Sequence, residues 1–380
     1  MIGGGAALGV GLGGLGAFVF TRTPSAALAP WEDAGSEAYA DDPRLFALSY
    51  AILSPSPHNM QPWRVVLEPD ESMTLYCDLD RRLPATDPQD RQTTIGLGCF
   101  LEMARIAAAE KGYRMDIVPF PDGQPEPNLD ARPIATVTMT EDPAVTPSPL
   151  FVRVLYRRSN REPCDIHRQV HDLALADLAS RAENRAWVHT THDIDLREKL
   201  RELTWQAFKT ELATPKAWRE TVDVMRIGKS QIDANPDGIA LSGASIEVMK
   251  TLGILTREEL LDPESEAFKE GEAIYEPVIK TAMAYVWQIT PDNSRASQLA
   301  AGRDWLRMNL ESAAIGMAMQ PLSQALQEYP EMAAHRAAMN SLLQVPEGSR
   351  LQMLGRLGYS PSQPPSPRWP LGHALEEQAT

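Results

Sequence analysis

Two short segments of this sequence carry the side chains best suited to hold a ligand. The first, SPSPHNMQPWR, covers residues 54 to 64. Two of its three prolines, Pro55 and Pro57, fix the backbone and remove two amide donors. Between and after them stand groups that can donate or accept hydrogen bonds: Ser56, His58, Asn59 and Gln61. A stiff loop that presents such groups suits the edge of a flat heteroaromatic ring. The alternative is a proline-braced turn before an edge strand.

The second segment, YRRSNREP at residues 156 to 163, concentrates positive charge. Arg157, Arg158 and Arg161 stand beside Ser159, in a chain whose formal net charge is −15. Guanidinium forks match phosphate oxygens, so this cluster predicts a local anion site. An exposed basic loop is the alternative. The closing stretch GRLGYSPSQPPSPRWP adds two arginines around a Gly-Tyr turn, a weak signal by itself.

Composition excludes several classes of function. The 380 residues are 43% apolar and 23% charged, which is enough for a sizeable core. The acidic balance argues against general binding of nucleic acid. The three cysteines have no metal-type spacing, and a calcium-like run that starts at Asp233 has Ala244 where the bidentate carboxylate should stand. We therefore expect no metal site and no disulfide framework. The sequence also has no GxSxG, HExxH or phosphate-loop motif, so we expect no nucleophilic catalytic side chain.

The N-terminus reads as an export segment. Residues 1 to 20 are apolar and uncharged, and the small residues at 25 to 29 suit a cleavage region. The glycines at 11 to 16 match a dinucleotide fingerprint formally, but no strand precedes them. Residues 1 to 29 are thus interpreted as an export signal remnant, similar to the hydrophobic part of a twin-arginine signal. We expect a periplasmic or exported protein, with possible membrane association through this segment, and an acidic linker at residues 30 to 43.

The remaining pattern predicts an α+β fold in two units. The first, residues 44 to 150, should hold a helix from Arg44 capped by Asp42, a β-hairpin, a helix from Thr93 to Lys111 and two strands. The second, residues 151 to 372, should hold helices at 169 to 182, 193 to 213 and 294 to 317, a mixed region at 214 to 280, and a strand at 350 to 359, before a tail at 373 to 380. TAMAYVWQI reads as a strand or a buried helix.

The two units resemble each other faintly. GCFLEMARIAAAEKG, residues 98 to 112, aligns without gaps to GRDWLRMNLESAAIG, residues 302 to 316. The alignment suggests a duplicated domain. The alternative is that two amphipathic helices look alike by chance.

Taken together, these motifs resemble the FMN-dependent nitroreductase family, and most closely its duplicated, often exported Acg-like branch. The resemblance covers residues 42 to 370. SPSPHNMQPWR is similar to the Pro-Ser-x-x-Asn-x-Gln-Pro-Trp segment that contacts the isoalloxazine ring, and RRSNR to the segment that binds the phosphate and ribityl chain. ESAAIGMAMQP, which contains Gln320, resembles the helix end whose following backbone lies against the flavin. The closing segment would bring Arg368 to the phosphate.

The resemblance implies a nitroreductase-like α-β-α sandwich in which two fused half-units form an intramolecular pseudo-dimer. The first unit has the ring segment and the second has RRSNR, so one composite FMN site per chain is implied, in a monomer or homodimer. It implies hydride transfer from a small-molecule donor, NAD(P)H, to a nitro or quinone acceptor.

Two other functions stay open: a flavin-binding or storage protein whose insertion at 214 to 280 acts as a lid, and a structural protein that has lost flavin. Two residues of the first segment also need an interpretation. His58 is either a hydrogen-bond donor near the flavin or a structural histidine, and Trp63 is interpreted as a core residue.

Overall fold

A computed structural model describes residues 23–376, which fold around three β-sheets. The helices are α1 Ser25–Asp33, α2 Pro43–Ala51, α3 Arg91–Glu110, α4 Asp172–Ser180, α5 Ile194–Ala213, α6 Pro215–Asp223, α7 Lys229–Ala234, α8 Ala244–Thr251, α9 Arg257–Leu261, α10 Glu266–Lys280, α11 Arg295–Ala314, α12 Ala333–Leu342 and α13 Leu371–Ala374. The strands are β1 Trp63–Leu67, β2 Ser72–Cys77, β3 Tyr113–Pro119, β4 Ala135–Glu141, β5 Val188–Thr191, β6 Met225–Ile227, β7 Ile239–Leu241, β8 Ala284–Thr290, β9 Ala318–Pro321, β10 Arg350–Gly358 and β11 Leu375–Glu376.

The two larger sheets repeat one topology. The first has the order β11-β1-β2-β4-β3 and the second β5-β8-β10-β9. If β11 is set aside, each sheet runs first, second, fourth, third strand in chain order, and all neighbours are antiparallel. In each, a long helix of 20 residues follows the second strand, α3 in one case and α11 in the other. The α+β class expected from the sequence is therefore present, with the same four-stranded unit occurring twice.

The two long helices pack against each other through glycines at matching positions. A Cβ atom on Gly98 would lie 2.2 Å from the Leu299 carbonyl oxygen, and one on Gly302 would lie 2.0 Å from that of Ile95. Ile95 and Gly98 are the fifth and eighth residues of α3, as Leu299 and Gly302 are of α11. This reciprocity is the pattern of a two-fold interface. The close approach lies in the first half of each helix.

Most elements of the first unit lie where the sequence predicts them. Helix α2 begins after Asp42, whose carboxylate accepts a hydrogen bond from the Arg44 amide at 2.8 Å. The segment that read as a strand or a buried helix is strand β8. Strand β9, helix α12 and strand β11 were not anticipated.

Both ends of the described chain pack into the body. Residues 25 to 33 form helix α1, with Trp31 buried, rather than a cleavage region and the start of a linker. At the other end, β11 pairs in parallel with β1. The chain after β10 therefore crosses back to the first sheet, and residues 373–376 belong to the folded body and not to a tail. The apolar export-like residues 1–22, and residues 377–380, lie outside the described part of the chain.

A long insertion distinguishes the second unit from the first. In the first sheet a tight hairpin joins β1 to β2, whereas β5 and β8 are separated by helices α5 to α10 and the parallel pair β6–β7. Part of it has its own small core of Val222, Met225, Ile227, Leu255 and Leu260. The departure from the first unit thus begins after Thr191, earlier than the 214 to 280 expected. None of the helices within residues 23–376 is long and apolar enough to cross a bilayer.

Candidate functional site

The loop between α2 and β1 is held in an unusual backbone conformation. His58, Asn59 and Gln61 all have positive φ angles, of 45°, 57° and 53°. For residues other than glycine such angles cost about 1–3 kcal/mol each, and asparagine tolerates them best. The loop persists because it is braced: the Ser56 hydroxyl accepts a hydrogen bond from the Gln61 amide at 2.9 Å. Strained backbone of this kind clusters at functional sites.

Arginines from two distant segments converge on this loop. The Leu53 carbonyl oxygen accepts hydrogen bonds from Nη2 of Arg157 and Nη2 of Arg368, each at 3.0 Å. Arg368 also donates to the Ser54 carbonyl at 3.1 Å and to Oδ1 of Asn59 at 2.5 Å. The front loop, the RRSNR segment and the closing segment therefore meet at one place.

The arginines at this place have no acidic partners. None of the ion pairs found in residues 23–376 involves Arg157, Arg158, Arg161 or Arg368. Arg157 and Arg368 are 2% and 1% exposed, and Nε of each is buried without a hydrogen-bond partner. Burial, with help from Arg158, lowers the pKa of Arg157 to about 10. Buried, unpaired positive charge is costly unless an anion compensates it, so the arrangement fits an anionic group.

His58 links the loop to the arginine segment. Burial, together with the positive charge of Arg161, lowers its pKa to about 4. Arg161 itself is exposed. Nδ1 of His58 is buried without a partner. The imidazole is thus neutral near pH 7 and has one ring nitrogen available for a hydrogen bond to a ligand.

The side chains of Gln61 and Gln320 are engaged with other segments of the protein. The Gln61 side chain is buried; its Nε2 donates to the Pro236 carbonyl at 2.8 Å and its Oε1 accepts from the Trp369 amide at 3.0 Å. Oε1 of Gln320 accepts from Nε of Arg356 at 2.5 Å. Arg356 in turn donates to the carbonyls of Asn160 and Glu162. Both glutamine side chains, which the sequence predicted as cofactor-binding, therefore hold neighbouring segments in place.

The other two predicted residues are less committed. Pro55 and Ser159 are half-buried, and the Ser159 hydroxyl has no hydrogen bond within the described residues. The sequence missed Asn309, a buried residue of α11 whose Oδ1 accepts from Nη1 of Arg157 at 3.0 Å. The available signal was an amide side chain two residues before ESAAIG, within a predicted helix. It also missed Trp31, whose stretch read as a linker.

The insertion closes over the loop. The Gly238 amide donates to the Asn59 carbonyl at 3.3 Å. Asp237 binds Arg81 and Arg226, each at 2.7 Å, and accepts from Nε1 of Trp369 at 3.0 Å. A cavity of about 460 Å³ lies elsewhere, lined by segments 84–89, 127–128, 214–217 and 328–331, and includes none of the ten predicted site residues.

Comparison with known proteins gives partial matches to nitroreductases. The chain is 34% identical over 119 residues to a protein of Mycobacterium tuberculosis H37Rv named "Putative NAD(P)H nitroreductase acg"; the match covers 31% of this chain and 34% of that protein. The chain thus matches about a third of that relative's length. A second protein of that strain, also named "Putative NAD(P)H nitroreductase", is 25% identical over 337 residues, which cover 87% of this chain and 90% of that protein. No protein-family model matches the chain.

Solved structures are more distant. A putative nitroreductase from Anabaena variabilis is 10% identical, with a TM-score of 0.40 over 76% of this chain and 69% of that one. The FMN-dependent nitroreductase NfnB from Mycobacterium smegmatis, solved with NADPH, is 15% identical, with a TM-score of 0.35 over 60% and 96%. TM-scores this low support no argument about this chain. Its similarity to proteins named as nitroreductases therefore rests on the sequence matches.

Proposed function

We propose that this chain is an FMN-binding oxidoreductase of the nitroreductase type with one composite site. The observation that carries the proposal is the convergence of Arg157 and Arg368, buried and without carboxylate partners, on the carbonyl of Leu53 beside a strained polar loop. A doubly charged phosphate supplies the missing counter-charge. The name of the relative that aligns along most of this chain supports the same reading.

The described residues divide into two ends of such a site. The phosphate end would be held by Arg157, Arg158, Arg161 and Arg368 with the Ser159 hydroxyl. The ring end would lie against the loop of Pro55, Ser56, His58 and Asn59, where Nδ1 of His58 is available. When bound, FMN would accept hydride from a nicotinamide and deliver it to a nitro or quinone acceptor. The protein binds, orients and excludes water, and none of its side chains needs to act as a nucleophile.

We further infer that the chain is an internal pseudo-dimer and that its second, pseudo-symmetric position holds no flavin. The repeated sheets and the reciprocal glycines support the duplication. Asn309 is the fifteenth residue of α11, and the fifteenth residue of α3 is Arg105. Arg105 is engaged by the carboxylates of Glu102 and Glu183, at 2.7 and 2.5 Å. At the position of Arg105 the guanidinium is thus paired with carboxylates. At the position of Asn309 the neighbouring arginines have no carboxylate partner and can bind an anion.

The test is purification of the protein, its absorption spectrum and its FMN content. We expect a yellow protein with one FMN per chain. Arg161→Gln should weaken FMN binding about tenfold or more and leave riboflavin binding unchanged, because a charge-assisted bond to phosphate is lost. Arg132→Gln, the same charge change at an exposed pair with Asp130, is the control. A colourless, folded protein that does not take up added FMN would contradict the proposal.

One observation favours the second candidate, a flavin-binding or storage protein with little turnover. The insertion bonds directly to the loop, through Pro236 to Gln61 and through Gly238 to Asn59, so it covers the ring end. Reduction of the bound flavin by NADPH and its reoxidation by a nitroarene would establish the oxidoreductase. Reduction by dithionite alone would favour storage.

We also propose that the full chain is exported and tethered to a membrane through its N-terminal residues, and that it works as a monomer or homodimer. Cell fractionation of the full chain, with and without residues 1–22, tests this. Recovery of both forms in the same soluble fraction of the cytoplasm would contradict it.

A further inference from the structure

Helix α1 covers the arginine end of the candidate site and is bonded to two other parts of the chain. The Arg368 amide donates to the Ala27 carbonyl at 2.8 Å, and Nε1 of Trp31 donates to the Ser366 carbonyl at 2.8 Å. On the insertion side, the Ala27 amide donates to Asp233 at 3.3 Å, and Nζ of Lys229 to the Thr23 carbonyl at 2.7 Å. The helix thus lies between the closing segment and the insertion.

The indole of Trp31 stacks on two of the unpaired arginines. Its ring centroid is 4.7 Å from Cζ of Arg158 and 5.4 Å from Cζ of Arg368. An aromatic face attracts a guanidinium without neutralising it, and leaves the N–H edges free to bond elsewhere. Trp31 therefore fixes the planes of both side chains and keeps their charge available to an anion.

We infer that α1 is the gate of the phosphate end: docked, it positions Arg158 and Arg368 through Trp31, and it must undock for an anionic ligand to enter or leave. The inference rests on the proposed function, because it takes the FMN phosphate as the anion. The bonds named above are few and lie near one end of the described chain, so α1 can open locally while the two sheets stay folded. A regulated or slow exchange of the cofactor follows from such a gate.

The first test measures dissociation of FMN and of riboflavin, which lacks the phosphate. Trp31→Leu should speed FMN dissociation about tenfold and Trp31→Phe less, since phenylalanine keeps an aromatic face. Riboflavin dissociation should not change. Trp205→Leu is the matched control: Trp205 is 6% exposed, as against 7% for Trp31, and Lys209 lies 5.7 Å from its ring, in a separate core. That variant should release FMN at the unaltered rate.

The second test uses the unaltered protein and so does not depend on how a variant folds. Hydrogen exchange of the amides of residues 25–33 should slow about tenfold when FMN is bound and stay the same with riboflavin, because only the phosphate stabilises the docked arginines that α1 covers. Equal exchange in the flavin-free, FMN-bound and riboflavin-bound protein would overturn the inference.

The outcomes separate this inference from the proposed function. If FMN binds but the Trp31 variants release it at the unaltered rate, the gate is wrong and the FMN site stands. If the Trp31 variants release riboflavin faster as well, Trp31 acts on the ring or on the fold, and the gate is again wrong. If neither flavin binds, the proposed function fails and the gate fails with it.

Discussion

At the scale of single residues, the site is defined by groups whose charge or hydrogen-bonding capacity the protein itself leaves unused. Nε of Arg157, Nε of Arg368 and Nδ1 of His58 are all buried and without partners. Buried polar atoms are normally paired, so three such atoms in segments that meet at one place indicate a function. The same atoms should make the protein sensitive to pH.

The first prediction concerns His58. Its pKa is about 4 in the folded protein and about 6.5 in an unfolded chain, so the unfolded state binds more protons between these values. The free energy of unfolding should therefore fall as the pH drops from 6.5 to 4, by up to about 3 kcal/mol from this group. His58→Asn, which tolerates the positive φ angle, should flatten that part of the profile. Urea unfolding of both proteins between pH 7 and pH 4 measures it, and parallel profiles would refute the assignment.

Residue types in the two polar segments predicted only that each could bind a ligand, because arginine and proline constrain chemistry and backbone by themselves. That the two segments belong to one site was implied by the resemblance to a known family. The residue types were not enough to predict the roles of Gln61 and Gln320. The partners of Gln61 lie at Pro236 and Trp369, far along the chain, and nothing local to the loop specifies them.

At the scale of elements, the crossing of α3 and α11 holds the two units together. The backbones approach so closely at Gly98 and Gly302 that no side chain fits. Long helices with clear periodicity were predicted within a few residues of their observed ends. Strands β9 and β11 were missed because four and two residues are too short to show a period. Helix α1 was missed because it contains Pro30 and lies in an acidic stretch.

The second prediction tests this crossing. Gly98→Ala and Gly302→Ala should each destabilise the protein by about 1–3 kcal/mol or more, because the new methyl group would overlap a backbone carbonyl of the opposite helix. Gly271→Ala is the control, since an added Cβ there meets nothing within 4 Å in helix α10. That change should be neutral or stabilising by up to about 1 kcal/mol. Denaturant unfolding measures the free energy of unfolding of all three variants. If the three changes in this free energy were equal, the two helices would cross less closely than described.

At the scale of the whole molecule, segments from far along the chain close around one loop. The insertion reaches it through residues 236 to 238 and the closing segment through residues 366 to 369. Asp237 joins both to the first unit. Burial alone would raise the pKa of Asp237, but the bonds from Trp369, Arg81 and Arg226 outweigh it and keep the pKa low.

The third prediction is that Asp237 holds the insertion against the first unit and the closing segment. Asp237→Asn keeps the shape but leaves Arg226 without a carboxylate partner and Arg81 with Asp78 alone, so opening of the insertion should become easier by about 2 kcal/mol. Hydrogen exchange in β6 and β7 should then be about tenfold faster or more, and flavin should be released faster. Asp130→Asn, at an exposed pair with Arg132, should change neither. Unchanged exchange in the Asp237 variant would place the closure elsewhere.

The repeated four-stranded unit was within reach of the sequence, because the alignment of the two long helices could be read from it. The return of the chain to its first sheet could not, since strand β11 pairs with a strand some 310 positions earlier through backbone bonds that carry no sequence signal.

That return sets an order of events during synthesis. A nascent chain that has left the ribosome only as far as Gly358 already contains every strand of both large sheets except β11, but it lacks Arg368 and the contacts that this residue makes with Leu53 and Asn59. The contacts of Arg368 with Leu53 and Asn59 can therefore form only when translation is nearly complete, and a chain that stalls in its last stretch would have both large sheets but an incomplete arginine cluster.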